Sequence, residues 1–107
     1  MAESGYPEVG FAGAAGTAPA GSFSTGQVTV GTAATLIVAD NPNRARLIVI
    51  NQLGANNLFL GGVGVTITTG AGTANTAGSQ TVFLHRAAVY GVVAGSTTPV
   101  SYIEEVL

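Results

Sequence analysis

The chain has 107 residues, enough for one domain, and only 7% of them are charged, against about 25% in an average protein. Its net charge is -2, with three arginines and no lysine, which excludes the clustered basic face that nucleic acid requires. No cysteine is present, which excludes disulfides and thiolate metal sites, and no apolar run reaches the roughly 18 residues of a membrane helix.

Residues 1–25 read as an extended arm. The stretch GFAGAAGTAPAGSFSTG, residues 10–26, is dominated by glycine and alanine. Ordering such a segment costs on the order of 1–2 kcal/mol per residue in backbone entropy, and more at glycine. Tyr6, Val9, Phe11 and Phe23 return only about 1.5–3 kcal/mol apiece on burial. The arm is therefore expected to be disordered when free and held by a partner in the working state, with these four residues as contacts. Gly10, Gly13 and Gly16 have a period of three, but no proline lies within these triplets, so extended chain is expected rather than a collagen helix. Acidic residues and no apolar core at the N-terminus predict no secretory signal.

Composition changes near Gly26, and residues 26–107 read as a β-domain. Runs rich in Val, Ile, Thr, Tyr and Phe predict strands near residues 27–30, 35–39, 46–51 and 58–60. Further strands are predicted near 65–68, 81–84, 88–93 and 100–106. Turn chemistry separates them: Asp40-Asn41-Pro42-Asn43, then Gly54 to Asn57, Gly61-Gly62, and Gly95 to Pro99. Short strands at this spacing argue for an all-β sandwich or barrel. The expected core is Val28, Val30, Leu36, Val38, Leu47, Val49, Leu58, Leu60, Val82 and Leu84. Residues 69–78, TGAGTANTAG, read as a long loop of small residues that projects or packs on a neighbour.

Within 46–51, Leu47, Val49 and Asn51 share one face, and Arg46, Ile48 and Ile50 share the other. Ile48 and Ile50 on a second face predict that it too is covered, by the arm or by another subunit.

No pattern carries catalysis. The single histidine, His85, and single aspartate, Asp40, lack the Gly-x-Ser-x-Gly setting of a nucleophilic serine. One histidine and few carboxylates fall short of a zinc site. Glu104 and Glu105 are adjacent, so on a strand they face opposite ways. Without lysine there is no phosphate-binding P-loop. The expectation is no enzyme, no cofactor and no metal.

Residues 27–62, QVTVGTAATLIVADNPNRARLIVINQLGANNLFLGG, resemble a small β-sandwich module of tailed-phage and prophage structural proteins. The "VTVGTxATLIV" opening, the turn Asn41-Pro42-Asn43-Arg44, and Leu58-Phe59-Leu60-Gly61 carry the likeness. AAVYGVVA and the terminal strand extend it over about residues 26–107, although 69–78 departs from it. The resemblance implies a jelly-roll-like antiparallel β-sandwich acting as a head decoration or head-fibre protein. Its implied partner is the major capsid protein on the outer surface of the virion, with synthesis in the host cytoplasm and no nucleic acid or membrane contact. Cyclic burial of the Ile48/Ile50 face predicts a homotrimer. The alternative is a tail, baseplate or fibre module that binds a host glycan or another virion protein.

Overall fold

A computed structural model describes residues 21–52, 56–73 and 76–107, and every regular element in them is a strand. In chain order these are β1 (Ser22–Val30), β2 (Thr35–Val38), β3 (Arg44–Asn51), β4 (Leu58–Gly61), β5 (Ala71–Thr73), β6 (Ser79–Phe83), β7 (Val89–Val93) and β8 (Thr98–Val106). They form two four-stranded sheets, ordered β1-β8-β3-β6 and β2-β7-β4-β5, with every pairing antiparallel. The chain is all-β, and its two sheets pack together as a β-sandwich.

Alternation along the strands builds the core. Leu47, Val49, Val30 and Val100 from the first sheet meet Ile37, Val38, Leu58, Leu60, Val89 and Val93 from the second. Val28, Phe83 and Tyr102 pack against them from partly buried positions. Tyr102 lies across the sheet from Gly26, and a methyl group there would overlap the phenol ring. Gly26 is therefore the bare floor that lets β1 run straight from Ser22 beneath a large aromatic. β1 begins at Ser22, before the strand expected at 27–30, because residues 22–26 pair with Tyr102–Val106 of β8.

Three expected core residues point outward: Leu36 (44% exposed), Val82 (52%) and Leu84 (63%). In β2 a bulge between Leu36 and Val38 inserts Ile37, so Ile37 and Val38 both face inward and Leu36 is turned out. In β6 the pairing of Leu47 with Phe83 puts Phe83 on the core side and Val82 on the other. Both parities of TVFL are apolar, so the pattern alone does not choose between them.

The strand expected at 65–68 is a turn. Thr66 accepts the N–H of Thr69 and Gly70 at its carbonyl, while its amide donates to the Thr69 hydroxyl at 3.0 Å. Threonine hydroxyls here serve local backbone groups instead of side-chain packing on a sheet. The strand lies instead at Ala71–Thr73, inside the segment expected to project, where it pairs with β4.

One end of the sandwich is tied by Arg44. The β3–β8 register shifts between Arg44 and Arg46, and this bulge turns Arg44 into the interior while Arg46 stays outside. Its Nε donates to Glu104 at 3.0 Å, one terminal nitrogen to the carbonyls of Ala87 and His85 at 2.8 and 3.3 Å, and the other to that of Ala39 at 2.7 Å. The preceding turn is locally closed, with the Asn43 N–H donating to the Asn41 side chain and the Arg44 N–H to the Asn41 carbonyl. The Leu107 amide donates to the Asn43 carbonyl, which fastens the last residue to the same knot.

Candidate interaction surface

The outer face of the β1-β8-β3-β6 sheet carries three of the exposed large apolar side chains, Phe23, Val82 and Leu84. Register aligns Thr25, Ile103, Ile48 and Val82 in one row across the four strands. The next row is Phe23, Glu105 and Arg46, with Leu84 one residue beyond the end of β6. On the other side stand Gln27, Ser101, Ile50 and Gln80.

Ile48 and Ile50 are half-buried by these neighbours, and Ile48 sits between Ile103 and Val82. Phe23 is in β1 and 70% exposed on this same face. The structure thus brings three of the proposed contact residues, Phe23, Ile48 and Ile50, onto one surface. Tyr6, Val9 and Phe11 lie outside the described residues. Ile103, Val82 and Leu84 also belong to the surface: the sequence reading does not single out Ile103, which its pairing with Ile48 places here, and it expects the other two in the core.

The two charges on this face cancel each other. Arg46 holds Glu105 through Nε and a terminal nitrogen at 3.0 and 2.8 Å, a two-pronged pair. The hydrogen bond first, and the carboxylate charge second, raise the Arg46 guanidinium above its ordinary value. The face therefore presents an apolar band around a self-neutralised ion pair, with no free charge of its own at the centre.

A second feature is a cleft formed largely by connecting segments. This open cleft of ≈ 390 Å³ between the β1–β2, β4–β5 and β7–β8 turns is lined by Thr32, Ala33, Val65, Thr66, Ile67 and Val93, among other small residues. It carries no ionisable group. Among the described residues no cluster of three His, Cys, Asp or Glu side chains is placed to hold a metal. His85 stacks at a tilt on Phe83, with ring centres 5.1 Å apart. Tyr102 packs on the core.

No family model, curated protein or solved structure matches this chain.

Proposed function

We propose that the protein is a decoration protein of a tailed-phage head, seated on the outer capsid surface as a homotrimer and bound to the major capsid protein without covalent bonds. The observation that carries this reading is the outer sheet face: exposed Phe23, Val82 and Leu84 around half-buried isoleucines, with its only ion pair internally satisfied. Contiguous apolar surface of this kind marks a binding site. In a chain with 7% charged residues, the surface suits a protein that works covered rather than free.

Two further points support the reading. The strand pairs β1–β8, β2–β7, β3–β6 and β4–β5 are those made by folding one long eight-strand hairpin on itself and rolling it up. That arrangement supports a jelly roll, the expected form of the module. Arg44, the last residue of the Asn-Pro-Asn-Arg turn, is the buried tie of one end, which gives that motif a reason to exist in such a module.

The test is copy number in purified virions, measured by quantitative mass spectrometry. A decoration protein is expected at tens to hundreds of copies per particle. A handful of copies would overturn the proposal in favour of a tail, baseplate or fibre part. Removal of residues 1–20, which leaves β1 whole, is expected to weaken attachment to the head while the far-ultraviolet circular dichroism of the β-domain persists. Attachment that is unchanged without residues 1–20 would remove the arm from the mechanism.

A further inference from the structure

The four edges of the sandwich are unequal. Natural sheets blunt their edges with short strands, bulges, prolines or charges, because an open edge pairs with any strand that reaches it. In the β2-β7-β4-β5 sheet both edges are blunted: β2 has four residues and a bulge, and β5 has three residues. In the other sheet neither is. β1 runs nine residues in unbroken register, SFSTGQVTV, with no charge, proline or bulge. Among the described residues no strand pairs along its outer side. β6, SQTVF, is likewise uncharged and unbulged.

The exposed large side chains of the outer face stand at these same two edges. Phe23 is on β1, Val82 is on β6, and Leu84 follows it. The middle of the sheet carries the half-buried Ile48 and Ile103. Each edge therefore carries an exposed apolar side chain on this face, Phe23 among Thr25 and Gln27 on β1, and Val82 followed by Leu84 beside Gln80 at β6.

Direction also fits. The strands alternate across β1-β8-β3-β6, so β1 and β6 run opposite ways. A copy rotated about an axis along the strands keeps its direction, and its β1 then lies antiparallel to β6 of its neighbour. We infer that copies of this chain join edge to edge, β1 of one beside β6 of the next, continuing the sheet around a cyclic ring. The seam seats Phe23 against Val82 and Leu84 of the adjoining copy. Because Arg46 and Glu105 are already paired within each copy, no charge on this face repels a second one. A twofold β1–β1 contact centred on Gly26 fits less well: it places Phe23 opposite Thr29 and leaves Val82 and Leu84 uncovered. The ring size of three rests on the proposed function; the seam does not.

The chain has no cysteine, so the test is a pair of double variants of the full chain, F23C/V82C and F23C/L84C, oxidised and run on a denaturing gel. Within one copy these positions lie on opposite edges, about 14 Å apart at strand spacing, which no disulfide spans. Between copies at the seam they are neighbours. The expected result is a covalent species of up to three chains in at least one double variant, absent from F23C alone. Only single chains in both, or equal cross-linking of F23C alone, overturns the seam. As a second readout, Val82→Lys is expected to weaken self-association in sedimentation by on the order of tenfold or more, with the circular dichroism unchanged. Association that Val82→Lys leaves intact also overturns it. All these measurements use purified protein, so failure of the seam and absence from virions are read separately.

Discussion

Arg44 is fully buried, and each of its three guanidinium nitrogens has an oxygen partner. The arginine replaces water for the carbonyls of Ala39, His85 and Ala87, which belong to two different loops. Removing it takes the side-chain donor from those carbonyls and leaves a mostly buried Glu104 with the long 3.5 Å hydrogen bond from the Asn41 amide. Arg44→Met is expected to cost about 3 kcal/mol, a fall in Tm of roughly 12–24 °C for a domain of this size, read by thermal circular dichroism. Arg44→Lys is expected to recover little of it, because one ammonium cannot reach three directions at once. Thr98 is the opposite case. Its hydroxyl is buried with no hydrogen-bond partner, opposite Val30 in the β1–β8 pair. A stranded polar group costs about 1–3 kcal/mol, so Thr98→Val is expected to raise stability by about 1 kcal/mol in urea unfolding. A loss of stability would show that the hydroxyl is paired after all.

At the scale of elements, bulges decide which residues do what. The bulge in β2 makes Ile37 a core residue and Leu36 a surface one. Ile37→Ala is expected to cost about 2–4 kcal/mol and Leu36→Ala less than about 1 kcal/mol, compared in the same unfolding assay. Equal costs would contradict the bulge. This is also where the sequence stops being readable. The Leu47/Val49 and Leu58/Leu60 pairs face inward as their alternation predicts, although Ile48, Ile50 and Phe59 make the opposite parity apolar as well. A one-residue insertion leaves no mark in a run like TLIV: Val38 faces inward as expected, while Leu36, on the other side of the bulge, is turned out. Arg44 was legible as a turn residue, but its inward turn depends on a bulge paired with β8, some sixty residues away. The β4–β5 connection misled for another reason. VTITT has the composition of a strand, yet its threonines hydrogen-bond their own backbone. The candidate surface was half legible: Ile48 and Ile50 betrayed a second apolar face by alternation. Val82 and Leu84 joined that face only once the pairing with β3 was known.

For the whole molecule, the scarcity of charge limits how any partner can be held. The Arg46 guanidinium has its folded pKa raised by Glu105. That contribution is fully present below the unfolded guanidinium pKa and is lost only as pH rises through the higher folded value. The pair therefore stays intact across the neutral range. An exposed pair of this kind is screened by salt and contributes little, so if the protein binds a capsid as proposed, attachment is expected to survive transfer from low salt to roughly 0.5 M. Shedding over that range, followed by sedimentation of particles, would show that charge dominates. The pairing of β1 with β8 has a consequence in time. At about 5–20 residues per second, β8 emerges from the ribosome roughly 3–14 s after β1 is complete. Through that interval an uncharged nine-residue strand has no mate in its own chain, while many copies are being made side by side. Each nascent chain is thus exposed to strands from its neighbours before its own partner exists. Yield of soluble protein is expected to rise with slower initiation or lower temperature, which thins the crowd of half-made chains without altering the finished fold.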